Sequence, residues 1–223
     1  MSILVVDVGT SGLRGAIIRP DGAIECDHYL PILPDTPFPG LVEFDPVAMA
    51  DAALGIAATC LAEGGPVDAV GIADQRASSI VWDRATGVPI APGIGWQDLR
   101  TVGTCLELQA KGIRVAPNAS ATKLAAILDM ADPDRARSAK GELAFGTVDT
   151  WIAWTLSGGE LHVTDASNAG VTGLIRTDGS GWDARVLDEL RIDASLMPTI
   201  VDSSGVVGPA RGGGGAPSLA GRR

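Results

Sequence analysis

Ile3-Leu4-Val5-Val6-Asp7-Val8-Gly9-Thr10-Ser11-Gly12-Leu13-Arg14-Gly15-Ala16-Ile17-Ile18 is the stretch that decides the fold. An apolar run ends in an aspartate, four small residues follow, and a second apolar run begins at once. That is the pattern of a buried strand, a tight turn and a returning strand. Asp7 stands where the first strand meets the turn. Thr10 and Ser11 bring hydroxyls, and the turn brings backbone N–H groups, a set suited to phosphate oxygens. A carboxylate so placed can hold Mg2+, directly or through water. Together these are the parts of phosphoryl transfer from a nucleotide. An ordinary hairpin turn has the same composition. Two other phosphate motifs are excluded, because no Gly-Lys-Ser/Thr follows the turn and the glycines lead into a strand instead of a helix.

Working outward, the pattern predicts strands over residues 3–7, 13–19 and 23–30, with Pro20-Asp21-Gly22 turning the second into the third. Four prolines make residues 31–39 an irregular loop. Asp45 reads as a helix cap with Pro46 at the first position. The helix runs over 47–63 and stops at Gly64-Gly65-Pro66. Short strands are expected at 68–73 and 79–83, and helices at 99–111 (closed by Gly112), 121–130, 148–156 and 182–190, the last capped near Ser180. Residues 161–174 hold at most short strands. Three leading strands, a helix, then alternating elements describe a mixed α/β sheet. Residues 209–223 are rich in Gly and Arg, cannot bury a core, and are expected to be disordered.

With 223 residues, 46% of them hydrophobic, the chain can bury a real core. A net charge of −10 argues against a nucleic-acid partner, which needs a basic footprint. Cys26, Cys60 and Cys105 are scattered and odd in number, so they read as reduced thiols of a cytoplasmic protein. His28 and His162 are far apart and are not expected to ligate metal. No basic leader opens the chain, and no apolar run is expected to span a membrane.

Further segments join the opening stretch in a resemblance. They are Pro39-Gly40-Leu41-Val42-Glu43-Phe44-Asp45-Pro46, Gly71-Ile72-Ala73-Asp74-Gln75-Arg76, Val81-Trp82-Asp83-Arg84-Ala85-Thr86-Gly87, Trp96-Gln97-Asp98-Leu99-Arg100-Thr101, Phe145-Gly146-Thr147-Val148-Asp149-Thr150-Trp151 and His162-Val163-Thr164-Asp165-Ala166-Ser167-Asn168-Ala169. In order and spacing, residues 1–208 resemble the N-terminal domain of the FGGY carbohydrate kinases, nearest to the glycerol kinases. The resemblance implies an actin-like (ribonuclease H-like) lobe with inserted segments. It implies ATP and Mg2+ meeting a small polyol or sugar in a cleft between two lobes. It makes Asp7 the metal-side carboxylate, Thr10 and Ser11 the phosphate-contacting hydroxyls, and Arg14 an arginine that reaches the phosphates. On the substrate side it matches Arg76, Ala77, Trp96, Asp98 and Asn118 to positions around the sugar.

Two of these depart from the glycerol kinases. Ala77 stands where they carry a glutamate, and Asn118 stands where they carry a tyrosine. Ala77 has no side-chain acceptor for a hydroxyl. The resemblance also places the catalytic aspartate, in a Gly-Asp-Gln-like segment, and the adenosine-binding half beyond this chain. Residues 208–223 contain neither Asp nor Glu. The expectation is therefore a kinase lobe that is inactive alone and either meets a missing C-terminal lobe or self-associates. The rival expectations are a pentulose-type sugar kinase and a non-catalytic binding half, with the C-terminus a flexible tail, a truncation or a frame-shift.

Overall fold

In the computed structural model, residues 1–211 are described. Of the tail expected to be disordered, 209–223, the part from residue 212 onward lies outside the described residues. Pro209 to Arg211 are described, and the Arg211 N–H donates to the Leu156 carbonyl at 2.9 Å.

β1 (Ile3–Val8), β2 (Gly12–Ile18) and β3 (Ile24–Pro31) form an antiparallel meander, as the pattern predicts. Along β1 the period of two is plain: Leu4, Val6 and Val8 are buried while Asp7 is exposed. β4 (Glu43–Phe44) is short, and α1 (Pro46–Gly64) follows. The Asp45 carboxylate accepts the N–H groups of Val47 at 2.8 Å and Ala48 at 3.2 Å, and Pro46 occupies the first helical turn. β5 (Ala69–Asp74) then adds to the sheet parallel to β1, giving the order β3-β2-β1-β5.

α1 covers one face of this sheet with Met49, Ala50, Ala53, Ala57 and Cys60. Its small residues allow close approach. A Cβ on Gly15 of β2 would lie 2.9 Å from Cys60 Sγ, so glycine is required there. With 19 residues α1 is long and apolar enough to cross a membrane by length and composition, which corrects the expectation that no run is. Here it is a core helix, packed on β1, β2 and β3.

The second half builds a second core. β6 (Ile80–Asp83) does not join the main sheet; it pairs antiparallel with β8 (Leu143–Gly146). Between them in sequence come β7 (Gly93–Ile94), α2 (Val102–Ala110) and α3 (Ser120–Ala131). Leu124, Ile127 and Leu128 of α3 pack with Leu108 of α2 and Phe145 of β8. α4 (Val148–Leu156) falls where the pattern places it and packs on α1 and β5. β9 (Val163–Asp165) and α5 (Ala166–Ala169) follow, then α6 (Ala184–Glu189), and β10 (Thr199–Val201) pairs parallel with β9.

Two expectations about helix starts are corrected. α6 is capped by Asp183, whose carboxylate accepts the Arg185 N–H at 2.9 Å, and not near Ser180. α2 begins three residues later than the sequence pattern places it. The segment before it is held in a turn by Asp98, which accepts the Arg100 N–H at 2.9 Å. β4, β7, β8 and β10 have two to four residues each, too few to show a period.

Candidate active site at the end of the sheet

β1 and β2 deliver two charges side by side. Their register sets Asp7 opposite Arg14, with Ala73 on the other side of Asp7 and Tyr29 on the other side of Arg14. Directly opposed residues share a face. The core takes Leu4, Val6 and Val8, so Asp7 and Arg14 stand on the open face. The Asp7 carboxylate has no hydrogen-bond or ion-pair partner among the described residues. Arg14 lies 3.5 Å from Asp27 and 6.0 Å from the Tyr29 ring centroid, with both charged side chains more than half exposed. Such exposed contacts are worth little, so the guanidinium is available to an anion.

The turn between them is tight. The Gly9 N–H donates to the Gly12 carbonyl at 2.9 Å. The Ser11 carbonyl accepts from the Tyr29 hydroxyl at 3.2 Å and from the Ile32 N–H at 3.1 Å. A Cβ on Gly12 would fall 2.5 Å from Tyr29 Oη, so the turn tolerates no side chain there. The Ser11 residue is exposed, while the Thr10 hydroxyl accepts the Trp96 indole N–H at 3.1 Å.

That last bond ties the phosphate turn to the substrate side. The Trp96 backbone N–H donates to Ser78 Oγ at 3.1 Å, and Ser78 Oγ donates to Gln75 Oε1 at 3.1 Å. Gln75 then returns to the turn, its backbone N–H on the Val8 carbonyl at 2.8 Å and its amide 3.4 Å from the Gly9 carbonyl. Gln75 and Ser78 join these segments by hydrogen bonds, and sequence reasoning passed over both. Both lie in or beside a quoted segment, but nothing in their type marked them.

Arg76 follows Gln75 and is exposed, with no partner for its guanidinium among the described residues. Ala77 is 4% exposed and holds φ at 67°, a region that L-residues rarely adopt. Its carbonyl accepts the Ser120 hydroxyl at 3.0 Å. Ser120 opens α3, two residues after the exposed Asn118, so the loops carrying Arg76 and Asn118 are joined. Ala77 therefore turns its methyl into the protein, and Asn118 is the one of the two departures that faces solvent.

Asp98 is placed differently. It is fully buried, and its carboxylate accepts from the Val42 N–H at 2.6 Å and from Arg100 at 2.8 and 2.9 Å. Arg100 reaches on to Glu43 at 2.7 Å. Burial pushes the Asp98 carboxyl up, but the hydrogen bonds from Arg100 and Val42 outweigh it and hold it below the usual carboxylate range. Asp98 locks the 40–44 segment to the start of α2, and its oxygens are already filled.

A second acidic group, Asp74, closes the C-terminal end of β5, beside Val8 at the same end of the sheet. Burial, reinforced by the charge of Asp149, pushes Asp74 up to about 7. The Asn168 amide donates to it at 3.0 Å and the Asp149 N–H at 3.2 Å. Asp165 caps α5 by accepting from the Asn168 N–H at 2.7 Å and is hydrogen-bonded by Ser203; such bonds outweigh its burial and bring it down to about 2. The sign for Asp74 follows from its raised pKa. The folded state holds the extra proton between 3.8 and about 7, so stability falls as pH rises through that window. Asp74→Asn keeps an acceptor oxygen and removes the charge. It is expected to raise stability at pH 8 by about 1–3 kcal/mol, and by less at pH 4. Urea melts of both proteins at the two pH values check this; an equal effect at both would contradict the assignment.

Comparison with known proteins fits this geometry. The profile of the FGGY family of carbohydrate kinases, N-terminal domain, matches residues 2–214. The chain belongs to the FGGY family. This FGGY chain is 41% identical over 220 residues to a glycerol kinase of Aromatoleum aromaticum, covering 92% of the chain and 44% of that relative. It is 40% identical over 219 residues to a glycerol kinase of Ralstonia pickettii, covering 91% and 43%. The chain thus spans under half the length of the curated relatives it matches. Among solved structures it resembles Plasmodium falciparum glycerol kinase with ADP, with a TM-score of 0.80 at 24% identity, over 89% of this chain and 42% of that one. It also resembles a ligand-bound xylulose kinase of Lactobacillus acidophilus, with a TM-score of 0.81 at 21% identity, over 95% and 44%. These likenesses show that the chain shares its fold with the corresponding part of those two structures.

Proposed function

We propose that this FGGY chain forms the phosphate- and sugar-side lobe of an ATP-dependent carbohydrate kinase that phosphorylates a hydroxyl of a small polyol or sugar. The observation that carries the reading is Asp7, whose carboxylate has no partner among the described residues, facing Arg14 across β1 and β2 on the open face of the sheet, beside a turn whose Thr10 hydroxyl is held by Trp96. Arg14 and the Thr10–Ser11 turn take the phosphate oxygens, with backbone N–H groups oriented toward them. Arg76 presents its free fork to a substrate hydroxyl, and Trp96 gives that hydroxyl a flat wall next to the phosphates. Holding donor and acceptor in line is the main work of such a site.

Asp7 fits Mg2+: it is an exposed hard-oxygen donor without a competing partner among the described residues, and Mg2+ favours a carboxylate plus its own waters. When bound, the ion neutralises charge on the phosphates. The proton acceptor and the adenosine contacts come from outside residues 1–211, from a C-terminal lobe or a second copy of the chain.

Asn118, exposed and shorter than an aromatic side chain, leaves the sugar side open, which favours a substrate longer than glycerol. Titration calorimetry of the chain with glycerol, erythritol, xylitol and D-xylulose tests this. The larger ligands are expected to bind more tightly than glycerol. Arg76→Met is expected to weaken them about tenfold, the loss of one charged hydrogen bond. Glycerol as the tightest ligand would return the reading to a plain glycerol kinase.

A further inference from the structure

Lys123 lies on α3 and is wholly buried, among the largest fully buried side chains of the protein. An ammonium without solvent is expensive unless its hydrogens are taken. Its Nζ donates to the Pro117 carbonyl at 2.6 Å and to the Ala119 carbonyl at 3.1 Å. Those two carbonyls flank Asn118. Burial brings the lysine down to about 8, while the charges of Asp98 and Cys105 act in the opposite direction. Asp98 is already claimed by Arg100, so the backbone carbonyls are the direct partners of the ammonium. α3 needs no such device for its own stability, since Leu124, Ile127 and Leu128 seat it in the core. A methionine or leucine would fill the same volume without a desolvated charge.

We propose that Lys123 is a positioning residue for the sugar side of the site: it pins the backbone on both sides of Asn118 and so fixes where that side chain stands relative to Arg76. The proposal rests on the reading that the 117–120 loop borders the sugar. The path is continuous. Lys123 holds Pro117 and Ala119, Ser120 bonds the Ala77 carbonyl, and Ala77 follows Arg76. A charged donor makes bonds about twice as strong as a neutral one, which suits a brace on a loop that is otherwise exposed. The lysine is invisible to ligand and solvent alike, so it acts through the loop and not on the substrate.

The test uses the whole chain, wild type beside Lys123→Met and Lys123→Arg. The first measurement is hydrogen exchange of the 115–119 amides, which reads the brace without any ligand. The second is calorimetric affinity for glycerol and for D-xylulose. Lys123→Met is expected to deprotect the loop and to weaken D-xylulose about tenfold while changing glycerol less, so that the ratio of the two affinities shifts. Lys123→Arg, which keeps the charge and the donors, is expected to recover loop protection and most of the ratio. A role confined to stability would weaken both ligands equally and leave the ratio unchanged. Unchanged protection in Lys123→Met overturns the brace. Lost protection with an unchanged ratio overturns the positioning role alone. Failure of the wild type to bind either ligand overturns the sugar-site reading, and the proposal with it.

Discussion

Asp7→Asn is expected to lower kcat/KM for phosphoryl transfer by about 10²–10³-fold in a kinase carrying this lobe, the range for removing one preorganised electrostatic contact to the reacting group. Stability is expected to stay within about 0.5 kcal/mol, as for a surface change away from core and partners. The split follows from where Asp7 stands. It is exposed at the end of β1, faces away from Leu4, Val6 and Val8, and has no partner to lose among the described residues. Steady-state kinetics beside a urea melt check both halves. A loss of stability with retained turnover would mean that the carboxylate serves the fold and not the phosphates.

Trp151→Ala is expected to do the reverse, removing about 3–5 kcal/mol of stability, as large-to-small changes of buried aromatics do. Trp151 is 1% exposed, and its ring centroid lies 5.1 Å from that of Trp82, itself fully buried. Its indole N–H donates to the Pro46 carbonyl at 2.7 Å, pinning the first turn of α1 to α4. Truncation opens a cavity between the two helices and leaves that contact unmade. The midpoint is expected to fall by about 8–15 °C for a domain of this size. Trp151→Phe keeps much of the volume and is expected to lose clearly less. A loss below about 1 kcal/mol in Trp151→Ala would contradict the packing of α1 on α4.

The sheet was legible because its strands carry their own evidence. Residues 3–18 hold two apolar runs, the first closed by an aspartate and joined to the second through glycines, and Asp45-Pro46 announces a helix start by capping chemistry alone. The small pairs β4–β7 and β6–β8 depend on contacts between distant segments, which no local period records. At the site, Asp7 was readable from its place where the first strand meets the turn and Arg14 from the resemblance, while their facing register comes from the fold. Asp98 was readable as a polar residue near the cleft, but its burial under Arg100 and Val42 was not, because the partners come from a loop 56 residues away. Nothing in the sequence singles out Lys123. Only the fold shows that the charge points inward, to two carbonyls of the preceding loop.

The central claim is that this lobe orients a sugar hydroxyl against a nucleotide's phosphates. The most direct measurement joins residues 1–207 to the C-terminal half of the Aromatoleum aromaticum glycerol kinase and follows transfer of the γ-phosphate of ATP onto glycerol, erythritol, xylitol and D-xylulose. The account predicts ATP-dependent phosphorylation of at least one acceptor, lost on Asp7→Asn, with no detectable turnover by the 223-residue chain alone. A folded, ATP-binding chimera that phosphorylates none of the four, or turnover that survives Asp7→Asn, would contradict it.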